Sequence, residues 1–305
     1  MPPSIICRTA TTFTSDGALD LAAQEEFLAR MVDSGIGIYL ASAGAGEGHA
    51  LRRDEVRELY LLGVSAGHGR VPVGANPPEA HTARAAIEHL QLAVTCGVDV
   101  VNVYGPAGWH GYHPTDEEYA SFYDDVFREV SHPTALSPNP AIGYAPSAAV
   151  VARICAKYHQ VVAVNLGGLD DAYFRALQAA LTRPVDLYMP FDGSLESLHA
   201  GAAGILGAAA NILPRTVRDY VDRFAVNDMA GLDYSYSDLR RFGRYVKGLR
   251  GTSARWIKMC MAVLDLPGGA GGLRVPYRMS PAKELGRFAA GLRSLDIAEI
   301  AEAGR

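Results

Sequence analysis

Short β-branched or apolar runs alternate along the chain with stretches in which apolar positions recur every three to four residues. The runs predict strands over Ile5–Phe13, Gly37–Ala43, Val71–Asn76, Asp99–Gly105, Pro133–Asn139, Val161–Gly167, Val185–Phe191 and Gly204–Asn211. The stretches predict helices over Leu21–Ser34, Arg52–Ala66, Thr82–Cys96, Thr115–Val130, Ser147–Tyr158, Asp171–Leu181, Leu195–Ala203 and Pro214–Phe224. Punctuation agrees with this reading. Asp16-Gly17 precedes the first helix, Ser34-Gly35 and Cys96-Gly97 close two others, and Pro214 stands where a first-turn proline is tolerated.

Strict alternation of strand and helix implies a parallel sheet, and eight repeats favour closure into a barrel over an open sheet. No Gly-x-Gly-x-x-Gly turn follows the first strand, so nothing signals dinucleotide binding. Past residue 228 the strand signal stops. Tyr236–Lys247, Thr252–Leu264 and Ser280–Ala303 read as helices, with a glycine-rich break at Pro267–Gly272. The expected fold class is therefore α/β: a (β/α)8 TIM barrel over residues 1–228, with a C-terminal helical segment, 229–305, packed on it.

Composition narrows the function classes. The net charge is −5, without a basic stripe, which argues against nucleic acid as a partner. No apolar run reaches the roughly 18 residues a membrane span requires, and the first residues lack signal-peptide regions, so the expected compartment is the cytoplasm. Four cysteines, Cys7, Cys96, Cys155 and Cys260, lie far apart and read as reduced core residues, with no zinc spacing. Lysine is scarce: only Lys157, Lys247, Lys258 and Lys283 occur.

In such barrels the chemistry sits at the C-terminal strand ends. That directs attention to Ser42, Ala43, Gly44, Gly46 and Glu47 after the second strand, and to Asn76 after the third. It directs attention equally to the loop from Tyr104 to His113, which carries Tyr112. Ser137 and Asn139 after the fifth strand, Asn165 on the sixth, Asp192 after the seventh and Asn211 after the eighth complete the set.

The run Gly37-Ile-Tyr-Leu-Ala-Ser-Ala-Gly-Ala-Gly46-Glu47, followed by Leu51-Arg-Arg-Asp-Glu55, resembles the strand-two loop of the dihydrodipicolinate synthase and N-acetylneuraminate lyase family. Arg70-Val-Pro-Val-Gly74 and Gly97-Val-Asp-Val-Val-Asn-Val-Tyr104 are similar to its third and fourth strands. Gly204-Ile-Leu-Gly-Ala-Ala-Ala-Asn211-Ile-Leu-Pro214 is similar to its eighth strand. Lys258-Met-Cys-Met-Ala-Val-Leu-Asp-Leu266 with Leu273-Arg-Val-Pro-Tyr277 resembles its helical ending. The resemblance implies a class I aldolase barrel, commonly a tetramer, in which a strand-six lysine forms a Schiff base with a 2-oxo acid.

The chemistry motifs depart from that pattern. Strand five of the family carries Tyr-Asn-x-Pro-Gly-Arg-Thr-Gly, whereas this chain reads Leu136-Ser-Pro-Asn-Pro-Ala-Ile-Gly143, with leucine at the tyrosine and alanine at the arginine. Strand six ends Val161-Val-Ala-Val-Asn165, with asparagine at the lysine. An imine needs an amine that can lose its proton near neutral pH, and an amide nitrogen is not nucleophilic. None of the four lysines is an obvious substitute; Lys258 matches a lysine the family places outside the strand-six site.

Two readings remain open. In one, the protein is a lyase or aldolase-family enzyme acting on a small 2-oxo acid or related carboxylate without an imine, and is not a true dihydrodipicolinate synthase. Ser42 and the backbone N–H groups of Gly44 to Gly46 would hold a carboxylate, Asn165 would hold a carbonyl or enolate oxygen, and Glu47 and Tyr112 are acid–base candidates. Ala43, Ser137, Asn139, Asp192 and Asn211 would line the ligand. In the other, the chain is a catalytically inactive binding or regulatory homologue in a homo- or hetero-oligomer. Both expect a dimer or tetramer and no cofactor; a variant of the first, in which a divalent ion held by carboxylate and histidine side chains stabilises an enolate in place of the imine, has no ligand spacing to support it. The plainer reading of Glu47 is an ion pair, and the loop carrying His110, Tyr112 and His113 reads equally as a subunit contact.

Overall fold

The computed structural model describes residues 3–190, 194–249 and 253–303. Eight parallel strands close into a barrel in chain order: β1 (Ser4–Arg8), β2 (Gly37–Leu40), β3 (Val73–Ala75), β4 (Val100–Tyr104), β5 (Thr134–Ser137), β6 (Val161–Asn165), β7 (Asp186–Met189) and β8 (Gly204–Gly207). The helices between them are α1 (Leu21–Asp33), α2 (Arg53–Gly67), α3 (Ala83–Thr95), α4 (Asp116–Glu129), α5 (Ala148–Lys157), α6 (Asp171–Ala180) and α7 (Ser194–His199). After β8 come α8 (Pro214–Ala225), α9 (Met229–Lys247), α10 (Ser253–Val263), α11 (Ala282–Arg293) and α12 (Ala298–Ala303). The (β/α)8 architecture with C-terminal helices is the one the pattern predicts.

Local chemistry explains the helix starts. Asp20, Thr82, Thr115, Ser147 and Asp170 each accept a hydrogen bond from a backbone N–H of the first turn. Thr115 and Glu118 form a reciprocal capping box on α4. Pro214 occupies the first position of α8, where its missing N–H costs nothing.

The strands are shorter than the apolar runs suggest, and the reason is visible at β1. Beyond Arg8, the backbone bonds chiefly to side chains. Ala10 N donates to Asn211 Oδ1 at 2.9 Å, Thr12 N donates to Gln24 Oε1 at 2.7 Å, and Thr11 O accepts from Lys258 Nζ at 2.5 Å. After β8, the expected extension to Asn211 is instead a 3₁₀ turn at Ala209–Asn211. The long C-terminal helix expected over Ser280–Ala303 is two helices, because Asp296 takes a left-handed φ of 51° between them. Of the predicted β7 and its loop, Phe191 and Asp192 lie outside the described residues.

The chain divides into two compact units, one of Gly74–Gly207 and one of Met1–Val73 with Ala208–Arg305. The larger unit has a core built from β1, β2, α1, α8 and α10, including Cys7, Phe27, Leu28, Ile36, Tyr220, Ile257 and Cys260. The smaller unit packs β4, β5 and β6 against α4 and α5 through Val101, Tyr119, Tyr123, Leu136, Val151 and Val164. All four cysteines are buried and free.

Candidate functional site

In the smaller unit, four neutral polar side chains gather near the C-terminal ends of β3 to β6. Asn76 follows β3, Asn102 lies inside β4, Ser137 ends β5 and Asn165 ends β6. They are 1%, 1%, 3% and 1% exposed, so each must find a partner inside the protein. Asn102 is the hub. Its Oδ1 accepts from Ser137 Oγ at 2.8 Å and from Asn165 Nδ2 at 2.7 Å, while its Nδ2 donates to Asn76 Oδ1 at 2.7 Å. Space for the hub comes from the register: Asn102 stands beside Ala135 of β5, which in turn stands beside Ala163 of β6. One atom is left over. Asn165 Oδ1 is buried and has no hydrogen-bond partner among the described residues.

The larger unit holds a charged counterpart. Lys258 is fully buried on α10 and shares the stripe of Ala254, Ile257 and Met261. Its Nζ donates to Thr11 O and to Gly272 O, the latter at 2.9 Å, and lies 4.7 Å from the Phe13 ring centroid. Glu47 Oε1 is 3.7 Å from that ammonium, a charge contact beyond hydrogen-bond reach, while Glu47 Oε2 accepts from Arg274 N at 3.0 Å. Arg274 continues the cluster. Its guanidinium donates twice to Glu55, at 2.7 and 2.8 Å, twice to Gly17 O, and once to Ala50 O.

The pKa directions follow from burial. Desolvation pushes Lys258 down to about 8, against the opposing pull of Glu47. Desolvation likewise raises Glu47, with Lys258 resisting. Glu55 moves the other way, held low by the two Arg274 bonds. The backbone holds Glu47 in a left-handed φ of 50°, and Gly48 beside it is obligatory, since a Cβ there would sit 1.9 Å from Ala41 O.

Most of the other expected site residues are already engaged within the protein. Ser42 Oγ accepts from Gly46 N at 3.0 Å, so that N–H is already committed within the loop; Ala43 O is bonded to His49 Nδ1, and Gly44 is exposed. Asn139 caps a 3₁₀ turn by accepting from Ala141 N. Asn211 is fully buried and ties Ala10 N, Arg8 O and Ala208 O together. Tyr112 lies on a turn, 55% exposed, with its hydroxyl bonded to Glu118, which raises its pKa. Asp192 lies outside the described residues.

The structure thus joins Ser137 to Asn165, and adds two residues given no site role from the sequence. Asn102 had a signal, a lone amide in the apolar run Val-Val-Asn-Val-Tyr; Lys258 had one too, a charge on the apolar stripe of a helix. Lys157, by contrast, is the last residue of α5, where Asp124 pairs with it at 2.8 Å and holds its pKa up. No helix among the described residues is long and apolar enough to cross a membrane.

Comparison with known proteins agrees with the architecture. The chain is 30% identical over 223 residues to a putative mitochondrial 4-hydroxy-2-oxoglutarate aldolase of Coccidioides immitis, an alignment covering 70% of this chain and 69% of that protein. It is 27% identical over 230 residues to a 4-hydroxy-tetrahydrodipicolinate synthase of Koribacter versatilis, covering 73% and 75% of the two. A solved prophage protein of E. coli K12, of the dihydrodipicolinic acid synthase family and in complex with pyruvate, superposes with a TM-score of 0.86 at 19% identity, covering 97% of this chain and 99% of that one. A dihydrodipicolinate synthase family protein of Coccidioides immitis superposes with a TM-score of 0.84 at 23% identity, covering 99% and 97%. The model of the dihydrodipicolinate synthetase family matches residues 1–278, and the chain belongs to that family.

Proposed function

We propose that this protein binds a small 2-oxo acid or related carboxylate at the C-terminal strand ends without forming a lysine imine on β6, and that it is not a dihydrodipicolinate synthase. The observation that carries this reading is Asn165, a buried amide at the end of β6 with its nitrogen committed to Asn102. An amide neither attacks a carbonyl nor loses a proton near neutral pH. Two relatives supply the substrate class: one is named for 4-hydroxy-2-oxoglutarate, and one structural neighbour holds pyruvate. In this reading the protein is a homo-oligomer, a dimer or tetramer, working in the cytoplasm.

Borohydride reduction in the presence of pyruvate, read by intact mass, tests the central point. The expected result is no added mass. A stable adduct overturns the reading, and peptide mapping to Lys258 would identify the alternative nucleophile, since that is the lysine whose pKa burial lowers. A coupled assay with pyruvate and aspartate semialdehyde is expected to show no turnover.

A second reading, a binding or regulatory homologue without turnover, is favoured by the neutrality of the amide cluster. Asn76, Asn102, Ser137 and Asn165 include no group that carries a proton between ordinary acid and base states near pH 7. Saturable binding with no consumption of any 2-oxo acid would select it.

A further inference from the structure

The hydrogen-bond directions in the amide cluster say what kind of group belongs against Asn165. Asn102 Oδ1 takes two donors, Ser137 Oγ and Asn165 Nδ2, and Asn102 Nδ2 is spent on Asn76 Oδ1. In that arrangement Asn165 Nδ2 faces Asn102, and the side chain cannot be turned over by itself. Turning it over would set Asn165 Oδ1 against Asn102 Oδ1, two acceptors facing each other with no hydrogen between them. With the bonds running from Asn165 through Asn102 to Asn76, the open atom is the acceptor Oδ1. It is buried in a residue 1% exposed and meets no donor among the described residues. A buried acceptor left unpaired is destabilising, so a ligand that supplies a donor gains from meeting it.

We propose that the ligand presents a hydroxyl group to Asn165 Oδ1, so that the site selects a 2-hydroxy acid over the 2-oxo acid of the same carbon skeleton. This rests on the non-covalent reading of the site given above. A hydroxyl both donates and accepts, so it satisfies Oδ1. A keto oxygen only accepts, and placed here it leaves Oδ1 without a partner. The inference inverts the expectation drawn from the sequence, in which Asn165 holds a carbonyl or enolate oxygen. Sites built around a substrate hydroxyl discriminate strongly against analogues that lack it, because their own buried polar groups are then stranded.

Isothermal titration of the full chain with D-lactate, L-lactate and pyruvate tests this without any variant. One lactate enantiomer is expected to bind about 10- to 100-fold more tightly than pyruvate, the ratio that corresponds to one buried acceptor gained or lost. Asn165→Leu, checked for native circular dichroism, is expected to bring the ligands within about threefold of one another. Equal affinities, or tighter binding of pyruvate, overturn the inference and leave the non-covalent reading standing; tighter pyruvate would mean the amide chain runs in the reverse direction. A preference for lactate that survives in Asn165→Leu also overturns it, because some other group then reads the hydroxyl. Binding of neither acid removes both the inference and the reading beneath it.

Discussion

The amide cluster of Asn76, Asn102, Ser137 and Asn165 and the charged cluster of Glu47, Lys258, Arg274 and Glu55 solve the same problem by different means. Both bury polar groups that water would otherwise solvate. The amide cluster does so with neutral side chains from neighbouring strands; among the described residues each cluster leaves one acceptor without a hydrogen bond, Asn165 Oδ1 in the first and Glu47 Oε1 in the second. The charged cluster does so with ions brought from distant parts of the sequence. Lys258 and Arg274 reach back to Thr11, Gly17, Glu47 and Glu55, and tie the C-terminal segment to the loops after β1 and β2. A neutral network tolerates an open position at modest cost, which suits a place that receives a ligand. A buried ion needs a counter-charge beside its open position, as Glu47 Oε1 has in Lys258 at 3.7 Å, because an unpaired charge in a dry interior is far more costly than an unpaired amide. The first cluster has the character of a receptor and the second of a clasp.

That contrast is open to direct attack. The largest effect is expected at Lys258→Met, which leaves Glu47 facing no cation across the former 3.7 Å contact. Urea denaturation is expected to show a loss of about 4 kcal/mol, in the range for removing one partner of a buried ion pair. A loss below about 1 kcal/mol would mean the clasp is not one.

Asn102→Leu comes next. It removes the hub and strands Ser137 Oγ, Asn165 Nδ2 and Asn76 Oδ1 from their shared partner. The expected cost is about 2 kcal/mol, and adding Asn165→Leu is expected to restore part of it, since exchanging both partners for apolar groups avoids a stranded polar atom. Additive losses in the double variant would show that the two amides are not coupled.

The effect smallest at any single step of its measurement is a pH dependence confined to the charged cluster. Burial lowers Lys258 from the usual 10.5 to about 8. Between those values the unfolded chain holds a proton that the folded chain has released. The lysine's contribution to stability therefore rises with pH across that window, by at most about 1.4 kcal/mol per pH unit, and is lost as pH falls to 8. Measured from pH 7 to 10, the wild type should gain stability relative to Lys258→Met. A constant difference would mean that Glu47 fully offsets the desolvation of the ammonium.

Much of the fold was legible because it depends on periodicity. Alternating strand and helix patterns, with Asp20, Thr115, Ser147 and Pro214 at helix starts, are local features, and local features survive in a sequence read alone. Strand ends were less legible. The run Ile5–Phe13 is mostly apolar or β-branched, yet the sheet stops at Arg8 because Asn211, Gln24 and Lys258 take over backbone groups beyond it. Those partners are 12 to 247 residues away in sequence.

The candidate site divides in the same way. That residue 165 is an asparagine, and so offers no nucleophilic amine, follows from the sequence by itself. Which atom of that amide is open, that Ser42, Gly46 and Asn139 are committed within their own loops, and that Asn211 is committed to Arg8 and Ala10, only the tertiary structure decides. A side chain's chemical capacity is fixed by its covalent identity, whereas the part of that capacity still available depends on which distant donors and acceptors folding brings within 3 Å.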